Sequence, residues 1–206
     1  MNLGIFGTGG FAKETLLLAL GINNRSKTFD KIIFLENERF FKTNKLMVFD
    51  VKKTSEINPL DYKFVVAVGD PIIRKKIVNE LSSKFNFISL ISPRAYIGNV
   101  KYGKGLIVMP FVYMSENIII GNHCQFNNRS SIGHDSICGD FVSVGPGSSI
   151  AGSNIIENNV YFGGNSSTKQ SLKITNNSII GLGAVVVKNI NQAGIYIGIP
   201  AKLLKE

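Results

Sequence analysis

Two histidines, two cysteines and no run of five like charges are the scarcities that bound this 206-residue chain. Two imidazoles cannot supply a three-histidine metal centre, and no metal is expected. The thiols, Cys124 and Cys138, both fall on interior places of the repeat described below, where a thiol packs as a small hydrophobe, so no disulfide is expected. Formal net charge is +9. The basic excess is present both in the first 95 residues and beyond them, and nowhere as a block. It reads as a diffusely basic surface suited to anionic small molecules, with no nucleic-acid partner. The longest strongly apolar helical run, Leu16 to Leu20, is too short to span a bilayer, and the sequence opens without a basic leader. A cytoplasmic protein with no membrane insertion is the expectation.

What the sequence has in abundance is a period of six. From Tyr102 to Val186 every sixth residue is apolar or aromatic, through Val108, Phe126, Ile132, Cys138, Val144, Phe162 and Ile180, with Thr168 the one exception. Two places earlier the residue is small or aliphatic, as in Cys124, Ser130, Ser148 and Ala184, and glycine often follows the large residue, as at Gly121, Gly133, Gly145 and Gly163. Side chains two apart on a strand point the same way, so both sets face an interior. A fixed hexapeptide period is the signature of a parallel β-helix. Three hexads close a triangular coil of eighteen residues, nearly five coils in all, and glycine after the large residue is expected to ease each corner.

Residues ahead of the repeat read differently. Leu3 to Phe6 is an apolar strand that runs into Gly7-Thr8-Gly9-Gly10, and a helix follows over Lys13 to Leu20. Glycines let backbone approach a phosphate, and a helix N-terminus offers unpaired N–H groups. Further strands are expected at Lys31 to Leu35, Met47 to Phe49, Phe64 to Val68 and Phe85 to Ile91. Asp70 is placed as the N-cap, and Pro71 as the first residue, of a helix reaching Leu81. In that helix Ile73, Ile77 and Leu81 are assigned to one apolar face, and Arg74, Lys75 and Lys76 to solvent. The expected fold is an α/β Rossmann-like half-domain over residues 1–92, followed by the β-helix with its C-terminal tail over 93–206. Ligands of open α/β sheets sit at the carboxyl ends of the strands, which gathers Gly7 to Phe11, Glu36, Asn37 and Gly69 at one crevice. Half a dinucleotide fold favours a mononucleotide, such as the handle of a nucleotide sugar, over NAD.

Candidate chemistry centres on His134. It faces outward two places after Ile132, beside Asp135, and a carboxylate that reaches the ring would raise its basicity and fix its tautomer. Neighbours on a strand point apart, so Asp135 meets the ring only if the corner turns it back. One coil beyond His134 is Gly152, whose bare N–H could meet an acyl oxygen. A second column, Asn128, Pro146, Gly164 and Leu182, suits a long thin ligand. His123, outward and without an adjacent acid, is read as a surface residue.

At these residues the chain resembles the bacterial nucleotide-sugar N-acetyltransferases of the bacillosamine and perosamine type, grouped with sialic acid O-acetyltransferases. The resemblance rests on Gly7-Thr8-Gly9-Gly10, Ala67-Val68-Gly69 with Ile73-Arg74-Lys75-Lys76, the segment from Asn127 to Asp135, Ala151-Gly152, Ile180-Gly181-Leu182-Gly183-Ala184 and Gly198-Ile199-Pro200-Ala201-Lys202. It implies a left-handed helix, His134 as general base tuned by Asp135, and acetyl-CoA held between neighbouring subunits of a homotrimer at Ser143, Gly152, Gly164 and Leu182. It further implies a nucleotide-linked amino sugar at Gly9, Gly10, Phe11, Glu36, Asn37 and Gly69, with Asn127 of the matched segment among the substrate contacts. The implied reaction is N-acetylation of a UDP- or dTDP-linked 4-amino-4,6-dideoxyhexose for surface polysaccharide or another glycan. O-acetylation of sialic acid or a related sugar is the nearest alternative, and a non-catalytic nucleotide-sugar-binding protein the other. Ser143 and Phe11 stand where some relatives carry histidine; Ser143 is expected still to donate to the thioester carbonyl.

Overall fold

The computed structural model describes residues 1–81 and 83–204; positions 82, 205 and 206 lie outside the described residues. The first part is a five-stranded sheet in the order β3-β4-β2-β1-β5. Its strands are β1 (Asn2–Phe6), β2 (Lys31–Glu36), β3 (Lys45–Leu46), β4 (Phe49–Lys53) and β5 (Tyr62–Val66). β1 lies parallel between β2 and β5, and β2 pairs parallel with β4. The central strands read as unbroken apolar runs because both faces are covered. On one face helix α1 (Gly10–Ser26) buries Ala12, Leu16 and Ala19, and on the other a set of rings around Phe64, Phe85 and Phe87 closes the core.

Several elements differ from the sequence expectation. α1 runs past Leu20 to Ser26 because Asn23 ties the helix end down, donating to the Phe29 carbonyl and accepting from its N–H at 2.7 Å each. Met47 is no strand residue: it sits at φ 56° with Val48 in the exposed turn between β3 and β4. Between Phe85 and Ile91 the regular strand is only Leu90–Ile91, preceded by a lone bridge from Phe87 to Phe64.

From Leu90 onward the chain winds into a left-handed parallel β-helix. Through the middle coils each face pairs residues eighteen apart, as in Ser131 with Ser149 and Ser149 with Ser167, while the first coil closes in seventeen, Leu90 with Ile107, and the last in sixteen, Ile179 with Ile195. The interior column from Val108 to Val186 is buried as the period requires. Thr168, the polar exception, accepts from the Ala151 N–H and the Asn154 amide. Tyr102, the first residue of the period, is 47% exposed because its strand lies at the edge of its face.

The corners turn differently from the expectation. The left-handed backbone falls three places after each large residue, at Asn117, His123, Arg129, Asp135, Phe141 and onward. The glycines that follow the large residues instead give the next coil room. A Cβ at Gly133 would lie 2.5 Å from the Gly152 nitrogen, and one at Gly145 2.6 Å from the Phe162 carbonyl oxygen.

The α/β part packs on the face that carries Ser143, with Leu90, Ile107 and Met109 of the β-helix inside its apolar core. Helix α2 (Pro71–Leu81) begins as expected, with Asp70 Oδ1 accepting from the Ile72 and Ile73 N–H groups; Ile77 and Leu81 pack on the core and Lys75 and Lys76 are exposed as expected, but Ile73 and Arg74 exchange places. Ile73 is half exposed, while Arg74 is 1% exposed. The Arg74 guanidinium donates to the carbonyls of Val68 and Gly69 on one side of the junction. On the other side it donates to the carbonyls of His123, Phe141 and Val142, to Gln125 Oε1 and to Ser143 Oγ. Gln125 returns a bond to the Val66 carbonyl. Desolvation lowers the Arg74 pKa to about 10, so it stays charged at neutral pH.

His123 is likewise no surface residue. It is 6% exposed, stacked on Phe141 and edge-on to Phe87, and burial followed by the Arg74 charge pushes its pKa down to about 4.

Arg74→Met should cost about 3 kcal/mol or more in urea unfolding, since it strands several buried acceptors. Lys75→Met should stay within about 0.5 kcal/mol. Because unfolding restores His123 to its ordinary pKa of 6.5, the unfolded chain binds the extra proton between that pH and about 4, and the His123 contribution to stability is lost as pH falls through this window. A His123→Phe protein should lose less of its unfolding midpoint than the wild type over the same titration.

Candidate active site

Six residues gathered from the sequence, Gly9, Gly10, Phe11, Glu36, Asn37 and Gly69, line one cavity of about 740 Å³ at the carboxyl ends of β1, β2 and β5. Gly9 is the N-cap of α1 with no side-chain cap, which leaves the first-turn N–H groups to a ligand. A Cβ at Gly9, Gly10 or Gly69 would have no atom within 4 Å, so these positions are open toward the cavity. Glu36 is held in place, its Oε2 accepting from Thr8 Oγ1 at 2.7 Å and its Oε1 from the Asn37 N–H at 3.0 Å. A second cavity of about 300 Å³ adjoins at Phe11 and Gly69, and Asn127, Asn128, Ser143 and Pro146 form its β-helix wall.

Ser143 is engaged at the junction. It is 4% exposed, its hydroxyl donates to the Gly69 carbonyl at 2.7 Å, and its lone pair accepts from Arg74. One hydroxyl has one proton, so a Ser143 bond to a thioester carbonyl would require breaking the junction.

His134, Asp135 and Gly152 form a separate group, at the corner where the Ser131 face turns into the Ile137 face. Asp135 takes the left-handed conformation at φ 58°, and this turns its carboxylate back onto the ring: Oδ2 lies 2.7 Å from His134 Nδ1. Asn117 donates to Oδ1 at 2.7 Å, and that bond, then the one with His134, lowers the Asp135 pKa below the usual carboxylate value. An ionised carboxylate accepts only, so Nδ1 carries the proton in this contact and Nε2 is the ring nitrogen that faces away from Asp135. Nε2 points across Gly152, where a Cβ would lie 2.7 Å away. An orienting carboxylate, an imidazole and an open approach are the equipment of a general base.

Residues 2–81 match the PglD N-terminal domain family. GDP-perosamine N-acetyltransferase of Escherichia coli O157:H7 is 33% identical over 179 residues, covering 84% of this chain and 80% of that protein. The chain belongs to the bacterial nucleotide-sugar N-acetyltransferase family. Among solved structures, the acetyltransferase domain of PglB from Neisseria gonorrhoeae FA1090, in complex with acetyl coenzyme A, superposes with a TM-score of 0.91 at 25% identity and covers 98% of each chain. WeeI from Acinetobacter baumannii AYE gives 0.90 at 27%, over 99% of this chain and 100% of that one.

The two groups of this acetyltransferase lie apart on one chain. The crevice and its junction sit on the Ser143 face, whereas His134 stands at the corner between the other two faces, opposite it. Gly164 and the 82%-exposed Leu182 occupy the corner that follows the Ser143 face, in one column with Asn128 and Pro146. Sequence reasoning missed Arg74 and Gln125, whose outward lattice position or helix spacing gave no sign of a covering domain. Thr8, gathered with the glycine turn, proves to fix Glu36.

Gly152→Ala should displace the His134 ring and lower the rate of acetyl transfer about 10²-fold, with the unfolding midpoint nearly unchanged, because the methyl meets a flexible, exposed side chain.

Proposed function

We propose that this enzyme transfers acetyl from acetyl-CoA to the 4-amino group of a nucleotide-linked 4-amino-4,6-dideoxyhexose, in the cytoplasm, for surface-polysaccharide or glycan assembly. The observation that carries the reading is the His134 imidazole, held by Asp135 at Nδ1 and open at Nε2 beside a bare glycine. His134 Nε2 accepts the amine proton as nitrogen attacks the thioester carbon. The Gly152 N–H is set to receive the developing oxyanion. As the tetrahedral adduct collapses and the C–S bond breaks, the imidazolium returns its proton to the departing thiolate. The nucleotide sugar fills the cavity at Gly9, Gly10, Phe11, Glu36, Asn37 and Gly69 with Asn127 nearby, and the pantetheine arm lies along Pro146, Gly164 and Leu182. The carrier, expected above as UDP or dTDP, is guanosine in the name of the curated relative.

The reading includes a homotrimer in which His134 of one subunit serves the crevice of its neighbour. Support comes from the placement of the two groups on opposite sides of one prism. The flat face beside His134 also carries a ladder of Ile119, Ile137 and Ile155, each over 40% exposed, which suits burial against another copy.

His134→Ala should lower turnover at least about 10²-fold while nucleotide-sugar binding persists. Gly69→Val, whose Cβ has no protein atom within 4 Å, should keep its stability but lose that binding. Mixed trimers of the two inactive proteins should regain about a quarter of wild-type sites, the fraction that pairs an intact base with an intact crevice. Absence of any recovery would overturn the shared site, and acetylation of a hydroxyl but not an amine acceptor would overturn the assigned chemistry.

A further inference from the structure

Helix α2 turns Pro71, Arg74 and Val78 to the junction and a second stripe, Ile73, Lys76, Ile77, Glu80 and Leu81, to the large cavity. The spacing of i, i+3, i+4, i+7 and i+8 is that of one helix face. Ile73 is therefore ligand wall, and Ile77 and Leu81 pack on the core around Phe64 while presenting an edge to the cavity. Across the cavity stands Phe40, 59% exposed, with the Arg39 guanidinium over its ring at 5.6 Å. With a diphosphate at the N-terminus of α1 and Glu36 beside the ribose, the α2 stripe and Phe40 are left for the base.

Two polar groups interrupt this apolar slot. Lys76 and Glu80 are both exposed and, among the described residues, neither side chain enters an ion pair. Lysine ahead of glutamate is the weaker order for an i,i+4 pair on a helix, so both heads stay available. Together they offer a cationic donor next to a carboxylate with two acceptor oxygens. The Watson–Crick edge that complements this is an acceptor followed by two adjacent donors. Guanine alone has it, in O6, N1–H and N2–H. Uracil and thymine present acceptor, donor, acceptor and would set O2 against the second carboxylate oxygen.

We propose that this enzyme selects a guanosine diphosphate sugar, with Glu80 accepting from guanine N1–H and N2–H and Lys76 donating to O6. The inference rests on the reading that the Gly69 crevice holds the nucleotide sugar. Calorimetric titration of the full chain with GDP, UDP and dTDP tests it. GDP should bind at least about 10-fold tighter than either pyrimidine nucleotide, and Glu80→Gln should weaken GDP by about 10- to 100-fold while UDP changes less than about 2-fold. Lys76→Met should reduce the GDP preference in the same direction. The proposal is overturned if UDP or dTDP matches GDP, or if Glu80→Gln moves all three together. Gly69→Val separates the two levels. Loss of all three nucleotides in that variant, with no change of preference in Glu80→Gln, removes only the guanine assignment; unchanged GDP binding in Gly69→Val removes the crevice reading and this one with it.

Discussion

Each coil of the β-helix must satisfy its backbone hydrogen bonds on the next, as when Gly133 N–H meets the Ile150 carbonyl and Gly145 N–H that of Phe162, both at 2.8 Å. Unpaired buried backbone groups are costly, so from Tyr102 to Val186 the eighteen-residue repeat holds without a slip, and every outward side chain there acquires a fixed corner or face. His134, Gly152 and the Asn128-to-Leu182 column inherit their positions from that register. Chemistry enters only where the repeat is not filled by side-chain ladders. At another corner Asn122, Asp140 and Asn158 stitch successive coils through bonds such as Asn122 N–H to Asp140 and Asp140 N–H to Asn158, whereas the corner of His134 leaves room above Gly152.

The second constraint is the buried cation at the junction. Arg74 satisfies its five N–H donors on neutral oxygens of both parts of the chain, so its charge is stabilised by dipoles without a carboxylate partner. The arrangement fixes Gly69 directly over Ser143. Because Gly69 lines both the large cavity and the smaller one on the β-helix wall, the same bonds that join the two parts also set how a ligand passes from one to the other.

Local sequence rules held wherever one element decides its own geometry. Asp70 and Pro71 marked the start of α2 because capping is a three-residue affair. The interior column was legible because a six-residue period has one physical explanation. The rules failed where a partner element decides. Arg74 and His123 carry polar groups that belong in water when read alone, and nothing within either segment announces the surface that covers it. The glycines after the large residues were read as hinges, yet the left-handed turns fall two places later, since contact with the adjacent coil, invisible along the chain, is what excludes a side chain there.

The sequence by itself determined the β-helix, its register, the glycine turn before α1 and the pairing of His134 with Gly152, since each follows from spacing along one strand of chain. Only the tertiary structure decided that Asp135 reaches His134, that α2 buries an arginine and offers its isoleucines to a cavity, and that the base and the crevice stand on opposite sides of one prism. Those outcomes depend on backbone dihedrals at a corner and on which face of the β-helix the α/β part covers, and both are set by contacts between residues distant in the chain.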